Sequence, residues 1–283
     1  MEVYVIALIY GFFFQNADIA VGNFRTRKEY FIVERNKKIR SVDLTTIGRM
    51  SQTQCAAFCV QLSDRCCEIT YITSTQECKL DQSGCCDTDF DYVFGSNLLH
   101  PSSKYGVNKT LSVTNGGGFG VWTSEEFCTK GHYAIGFRMK IEGPHADRSE
   151  LNAIEIICGS RVSDRCGDTA SSGQQIWGDW TGEAICPAKT FLIAFSLQVH
   201  PYNGYEDSTG ANYVRFRCRY FKDEFGAVDL SYPPGIGPYG SYGEWSDSCP
   251  VNSAICGLQT KIEAVQGYGD DTALNDVKFF CCE

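Results

Sequence analysis

The sequence predicts a mainly β protein in two parts: a small disulfide-stapled α+β domain, then a prism of three antiparallel sheets with pseudo-threefold symmetry. Three observations predict it. After residue 107 a unit of about 60 residues occurs three times. Its strands alternate apolar and polar residues with period two, so each sheet has one face to bury. Sixteen cysteines fall into two groups, seven between residues 55 and 86 and nine between 128 and 282. Between the groups, Pro101-Ser102-Ser103-Lys104-Tyr105-Gly106 reads as a linker.

The chain has 283 residues, room for two ordinary domains. Hydrophobic residues at 43% allow a packed core, and charged residues at 21% argue against a disordered chain. The net charge of -9 argues against a nucleic-acid partner held by overall basicity. Val3 to Phe14 is an apolar run of about a dozen residues, shorter than the roughly 20 that span a bilayer. It suits the core of a secretory signal, with small residues at Ala20-Val21-Gly22. Residues 1–22 are therefore read as a signal peptide cut after Gly22, with Ala17 the second choice. Glu2 departs from the usual basic start, and the competing reading is a buried N-terminal strand. No later segment is apolar enough to span a membrane.

A secreted, extracellular destination makes the disulfide the default state of a cysteine. There is no CxxC; Cys66-Cys67, Cys85-Cys86 and Cys281-Cys282 are adjacent pairs, and the four histidines form no HxxxH. That argues against metal, and no cofactor is expected. Asn108-Lys109-Thr110 is a glycosylation sequon in what reads as an exposed loop.

Residues 23–100 form the first domain. Seven Lys or Arg against two Glu lie between Phe24 and Arg40, which reads as a solvated strand edge rather than a docking patch. Ser51-Gln52-Thr53-Gln54 has capping-box spacing. Cys55 and Cys59 follow on one helix face, then Cys66 and Cys67, the β-rich Ile69-Thr70-Tyr71-Ile72, and Cys78-Lys79-Leu80. This order resembles the PAN/apple fold. The resemblance implies a helix tied to a small sheet by Cys55–Cys78 and by Cys59 with Cys66 or Cys67. It also implies a binding module for proteins or carbohydrates rather than an enzyme.

Residues 107–283 follow the linker at 101–106. Each unit opens on Gly-x-Trp: Gly120-Val121-Trp122, Gly178-Asp179-Trp180 and Gly243-Glu244-Trp245. A cysteine follows: Cys128, Cys186, Cys249. Then come apolar alternations through Ile135, Phe137, Met139 and Ile141, through Ile193, Phe195, Leu197 and Val199, and through Cys256, Leu258, Thr260 and Ile262. Each unit closes on a polar turn, an Asn (Asn152, Asn212, Asn275), a strand and a cysteine (Cys158, Cys218, Cys281). The closing strands put Glu155, Arg215, Arg217 and Lys278 on the outward face. A one-sided sheet cannot bury its face alone; three can share one interior.

Symmetry pairs Cys128 with Cys158, Cys186 with Cys218, and Cys249 with Cys281, leaving Cys256 for Cys282. Strand parity leaves the exchanged pairing of the last four open, because Cys256 shares a face with Leu258. Cys166 is odd in the second domain, and one cysteine is odd in the first. A bridge from Cys166 to Cys85 or Cys86, ahead of Cys66 or Cys67, satisfies both; the alternative is a disulfide-linked multimer.

Asn115-Gly116-Gly117-Gly118, Ile255-Cys256-Gly257-Leu258-Gln259-Thr260-Lys261, and Asp270-Asp271-Thr272-Ala273-Leu274-Asn275 through Cys282 closely resemble the vitelline membrane outer layer protein family. The resemblance covers about residues 107–283. It implies a β-prism, secretion, egg coats or secretions as the setting, and interaction with carbohydrate. A transferase activity on chito-oligosaccharides is also implied as a rival.

Glycoside chemistry needs two carboxyl groups a few ångströms apart. Glu142, Asp147, Glu206, Asp207, Glu263, Asp270 and Asp271 are candidates, and their place in three matching turns favours a structural role. Trp122, Trp180 and Trp245 read as core or interface packing. Asp207, Asp270 and Asp271, with Trp177 outside the repeat, are the binding candidates. Gly235 to Gly240 matches GxGxxG, but Pro234 precedes it and no helix follows. The expectation is a secreted, non-catalytic matrix, egg-coat or mucosal component that binds glycans or coat proteins. Its alternatives are a glycan-remodelling enzyme with a carboxylate pair and a soluble defence lectin.

Overall fold

The computed structural model describes residues 2–8, 26–40, 44–62, 66, 68–81, 90–101, 106–143, 149–161, 166–201, 209–265 and 272–283. The chain divides into two compact units, Met1–Lys104 and Tyr105–Glu283.

The first unit runs β1 (Glu2–Leu8), β2 (Thr26–Ile39), β3 (Leu44–Arg49), α1 (Gln52–Leu62), β4 (Ile69–Ile72), β5 (Glu77–Asp81) and β6 (Phe90–Pro101). Its six strands form one sheet in the order β1-β2-β6-β4-β5-β3. The start of the apolar run is β1, antiparallel to β2 with Val5 opposite Glu29. The expected cleavage site lies outside the described residues. Helix α1 starts where its capping box puts it: the Gln54 amide donates to Ser51 Oγ at 3.2 Å, and the Ser51 amide donates to Gln54 Oε1 at 2.9 Å. Its buried face, Cys55, Ala56, Cys59 and Val60, packs with Phe31, Ile69, Tyr71 and Leu99. Disulfides Cys55–Cys78 and Cys59–Cys66 hold that face to β5 and to the approach to β4.

The second unit runs β7 (Val107–Leu111), β8 (Val121–Trp122), β9 (Glu126–Phe127), β10 (His132–Ile141), β11 (Leu151–Ser160), β12 (Thr169–Ser171), β13 (Asp179–Trp180), β14 (Ala184–Ile185), β15 (Thr190–His200), β16 (Gly210–Tyr220), β17 (Val228–Leu230), β18 (Ser241–Tyr242), β19 (Ala254–Ile262) and β20 (Leu274–Cys282). Three long hairpins, β10–β11, β15–β16 and β19–β20, each anchor a sheet. The orders are β12-β11-β10-β13 with β14 also on β10, β17-β16-β15-β18, and β7-β20-β19-β8 with β9 also on β19. Asn108 therefore sits on an exposed strand, β7, not in a loop.

The inward faces meet in one cluster. Phe137 opposes Ile156, Phe195 opposes Phe216, and Leu258 opposes Phe279. All six are fully buried in it. The Phe216 ring touches Phe137 and Phe279 at centroid separations of 4.6 and 5.1 Å. Each such side chain contributes about 1.5–3 kcal/mol by leaving water.

The short strands pass from one sheet to the next. The opening strand of the second unit, β13, pairs with β10 of the first hairpin. The third, β18, pairs with β15, and the first, β8, pairs with β19 of the last hairpin. The third opening is thus Gly240-Ser241-Tyr242, which corrects the expected Gly243-Glu244-Trp245. The reason is steric. Gly120, Gly178 and Gly240 have φ of 81°, 77° and 72°. A Cβ on any of them would come within 2.6 Å of the backbone ending β19, β10 and β15. Gly243 has no such φ, so its Trp245 lies beyond the repeat position.

The disulfides follow the same hand-over. The Cys128 amide donates to Cys256 O in the third sheet, while its sulfur bonds Cys158 in the first. Cys186 donates to Ile135 O in the first sheet and bonds Cys218 in the second. Cys249 donates to Ile193 O in the second and bonds Cys281 in the third. Each of these three staples joins two sheets.

Strand register slips twice in each hairpin, and the first slip breaks the parity of faces. It lies between Ala134 and Gly136, Leu192 and Ala194, and Ile255 and Gly257. At such bulges the alternation of faces breaks. Ile135 and Cys256 therefore leave the faces of Phe137 and Leu258. They join a second apolar cluster with Tyr133, Phe191, Phe221 and Phe280. Cys256 bonds Cys282 inside it, and the parity argument for an exchanged pairing falls. Cys166 is also disulfide-bonded. Cys66 is taken by Cys59, while Cys67, Cys85 and Cys86 lie outside the described residues.

Two substitutions test this account. Gly120→Ala places a methyl against backbone at a left-handed φ and is expected to destabilise by about 2–4 kcal/mol. Gly118→Ala meets nothing within 4 Å and should stay within about 0.5 kcal/mol of the parent. Urea unfolding of both variants is the measurement.

Candidate functional site

At one end of the three hairpins, strands β10, β15 and β19 stop and β11, β16 and β20 begin. Each return is built alike. Glu150, Gly210 and Ala273 take left-handed φ of 49°, 58° and 47°. Two residues on, Asn152, Asn212 and Asn275 are buried. Their amides donate to Ser149 Oγ at 2.8 Å, Thr209 Oγ1 at 2.5 Å and Thr272 Oγ1 at 2.6 Å. Each also donates to the carbonyl of its left-handed residue. These asparagines satisfy turn backbone that would otherwise be buried without partners.

Two carboxylates of this end, Glu142 and Glu263, serve the same turns. Glu142 Oε2 accepts from the Ser149 amide at 2.9 Å and hydroxyl at 2.7 Å. Glu263 Oε2 accepts from the Thr272 hydroxyl and amide. The incoming segments are tethered from the strand ends. Lys140 donates to Gln175 O and Ile176 O, Lys261 to Gly117 O and Gly118 O, and Gln198 to Gly237 O and Tyr239 O. Sequence reasoning missed this set, although Met139-Lys140-Ile141, Leu197-Gln198-Val199 and Thr260-Lys261-Ile262 align at the repeat.

The middle hairpin departs from the others. His200 stands where Glu142 and Glu263 stand. Its ring stacks on Tyr239 at 5.5 Å, and its Nδ1 is buried with no hydrogen-bond partner among the described residues. Asp276 lies against Gly116. Burial pushes its carboxyl up, while the Val277 amide, Lys261 and Lys278 pull the other way. Asp147, Glu206, Asp207, Asp270 and Asp271 lie outside the described residues. Trp177 is half-buried beside exposed Ile176.

The tryptophans occupy the outer faces of the sheets, which corrects the expectation of core packing. None belongs to an apolar cluster. Lys278 Nζ lies 4.0 Å from the Trp122 ring centre, and the Arg138 guanidinium 4.7 Å from that of Trp180. In the middle sheet Arg215 lies 4.1 Å from Tyr242, and Arg217 4.0 Å from Trp245. The alternation that sends phenylalanine inward sends these cations outward, under the half-exposed rings.

A further polar pair lies beside the Cys128–Cys158 disulfide. Asp168 Oδ2 accepts from the Thr129 amide at 2.5 Å and lies 3.0 Å from buried His132 Nδ1. It is also near both sulfurs, but bonded to each other those sulfurs are not thiolate ligands.

Residues 109–283 match the model of the vitelline membrane outer layer protein I family. The chain belongs to this family. A Mus musculus vitelline membrane outer layer protein 1 homolog is 41% identical over 187 residues, 65% of this chain and 87% of that one. The Homo sapiens homolog is 38% identical over 193 residues, 66% of this chain and 90% of that one. A mannose-specific jacalin-related lectin from Morus nigra, solved with mannose, covers 64% of this chain and all of its own at 14% identity. Its TM-score is 0.33, a likeness too slight to bear on function. The family region takes in all three hairpins and their returns, whereas the first unit precedes it. Among the described residues no helix is long and apolar enough to cross a membrane. The family setting and the disulfides fit an extracellular protein.

Burial acts to raise the Asp168 carboxyl, but the hydrogen bonds from His132 and Thr129 together outweigh it and hold it below the usual range. A depressed carboxyl stabilises the fold above its unfolded pKa of about 4, and that contribution is lost as pH falls through the lower folded value. Asp168→Asn should cost about 1–2 kcal/mol at pH 7 and much less at pH 2–3, measured by denaturant unfolding at both.

Proposed function

We propose that the protein is a secreted, non-catalytic component of an extracellular coat that binds glycans or other coat proteins. In this reading the three sheets form a β-prism about a pseudo-threefold axis, and the first unit is a PAN/apple-like module supplying a second contact. Residues 1–22 are its signal peptide, so that secretion removes the edge strand β1 and leaves β2 at the sheet's edge, and Asn108 carries glycan.

The hydrogen bonding of Glu142 and Glu263 carries the reading. A general acid or nucleophile must be able to meet substrate. Glu142 and Glu263 instead hold the returns of two hairpins by matching bonds to Ser149 and Thr272. A carboxylate used twice for the same turn is scaffold. Glycan contact is better suited to the outer faces, where half-exposed rings backed by cations offer flat apolar surface beside hydrogen-bond donors. The family's name places its members in an outer layer of the egg coat, which supports the setting.

The rival is glycan remodelling. The raised carboxyl of Asp276 favours it, since a carboxyl that holds its proton is suited to act as an acid. Incubation with chito-oligosaccharides and mass analysis of the products separates the two: no new products are expected. Turnover abolished by Asp276→Asn would establish the enzyme. On a glycan array the intact protein should bind, and Trp122→Ala with Trp180→Ala should weaken binding by about tenfold or more. Binding unchanged in the double variant would remove the outer faces from the site.

A further inference from the structure

The outer faces of the three sheets repeat one cross-strand position with different charges. The first sheet has Arg138 opposite Glu155, the second Ser196 opposite Arg215, and the third Gln259 opposite Lys278. In the first the cation is neutralised within its own sheet, because Arg138 Nε pairs with Glu155 Oε2. In the third, Lys278 is a single point charge attracted to Asp276 on its own strand. The second has no such partner. The Ser196 hydroxyl is turned to Gly243 O at 2.9 Å. Arg215 makes no hydrogen bond or ion pair among the described residues, and its Nε is buried without a partner.

Rings hold Arg215 in place. Its guanidinium lies 4.1 Å from the Tyr242 ring centre and 4.8 Å from that of Trp245. Arg217 is two residues along β16, about 7 Å away on the same face, and lies 4.0 Å from the Trp245 ring centre. Arg217 is paired: Asp229 Oδ1 lies 3.0 Å from its Nε. That aspartate is 63% exposed, and so exposed a pair is worth little. The other acids of the segment do not reach Arg215. Asp247 pairs with Lys109, and Glu244 is exposed with no ion pair among the described residues. The Tyr242 hydroxyl donates to Gly235 O at 2.9 Å, which fixes the ring and leaves its face as contact surface. Arg215, Tyr242 and Trp245 are all partly exposed, so the group is open to a ligand from solvent.

We propose that the outer face of the middle sheet binds an anionic saccharide, with a sugar ring on Trp245 and a sulfate or carboxylate of the sugar at Arg215. This rests on the preceding reading, that the outer faces take glycans, and adds the charge that the middle face selects. An aromatic ring offers the same apolar surface to any sugar, so the ring alone does not choose. The guanidinium does. Its parallel N–H donors match two oxygens of a sulfate or carboxylate, and rings already hold it, so little freedom is lost on binding. A cation set against rings and lacking a counter-ion gains more from an anion than one surrounded by water. The chain as a whole carries -9. The attraction is therefore local to this face, within the screening length of about 8 Å at physiological salt.

The test is titration calorimetry of the full chain with its disulfides formed, against three probes of similar length. These are a neutral chito-oligosaccharide, its O-sulfated form, and a hyaluronan oligosaccharide, which carries carboxylate without sulfate. At least one anionic probe should bind about tenfold or more tightly than the neutral one, and the advantage should shrink with added salt. The two anionic probes compared with each other identify the anion. Arg215→Gln should bring both down to the affinity of the neutral probe. Arg215→Lys keeps the charge without the fork and should retain part of the advantage, and melting temperatures report whether each variant is folded. Lys222→Gln makes the same charge change at an exposed turn beyond β16 and should leave the advantage intact. Equal affinity for all three probes overturns the proposal and leaves the preceding reading standing. An advantage that survives in folded Arg215→Gln also overturns it, because the anion then sits elsewhere. Binding of no probe overturns it as well, and a blank glycan array for the same protein would overturn the preceding reading with it.

Discussion

A β-hairpin with one apolar face cannot be stable by itself, and the second unit is organised around that constraint. Phe137, Phe195 and Leu258, with their cross-strand partners, would face water if any hairpin stood alone. Three hairpins turned inward bury all six in one cluster. Burial alone leaves the sheets free to slide or part. The short opening strands prevent this, because each adds its hydrogen bonds to the sheet before it, and the first adds to the last. The glycines at 120, 178 and 240 exist for that hand-over. Only a residue without Cβ fits where the segment turns against the neighbouring backbone. The three matching disulfides repeat the logic covalently, each cysteine held by hydrogen bond to one sheet and by its sulfur to the next. The fold therefore closes as a ring, and its ends meet where β7 and β8 flank the last hairpin.

The bulge near the start of each hairpin has a second consequence. It lets one strand serve two apolar clusters. Residues after the bulge face the common core, while Tyr133, Ile135 and Cys256 reach a second cluster with Phe191, Phe221 and Phe280. A strict period of two would have left these side chains on the wrong face. The Cys256–Cys282 bond lies in that second cluster and closes none of the sheet boundaries. It reinforces one hairpin, whereas the three matching bonds hold hairpins together.

Much of this was legible in the sequence because it rests on local chemistry. The capping box at Ser51 and Gln54 forms its two hydrogen bonds. The alternating strands and closing asparagines mark hairpins and their returns. What was not legible depends on three-dimensional neighbours. Gly243-Glu244-Trp245 looks like an opening because it carries the glycine and the tryptophan. Only the left-handed φ of Gly240 and its contact with Val199 and His200 show that Tyr242 holds the position. The bulges leave no mark in the alternation, so Cys256 was placed beside Leu258. The tryptophans were assigned to core or interface packing from their place at the start of each unit. A fixed place in a repeated unit is also what the outer face of a repeated sheet produces, and the cation partners lie on other strands.

Internal repetition also separates scaffold from what is left over. Positions occupied alike in all three returns are explained by the turn: an Asn, a Ser or Thr before it, a left-handed residue between. The first and third returns share a glutamate and a lysine as well. The second has His200 and Gln198 in their places, and its glutamine still tethers a crossing segment through two carbonyls. The histidine does not reproduce the glutamate's bonds and leaves a buried nitrogen without a partner among the described residues. Folding alone gives no reason for that exchange, since the glutamate arrangement serves the other two. The same sheet carries the doubled ring and cation stack of Tyr242, Trp245, Arg215 and Arg217. In the return and in the ring stack alike, the departure from the repeat falls on the middle sheet, and neither departure is required by the turn or the core that the three hairpins share.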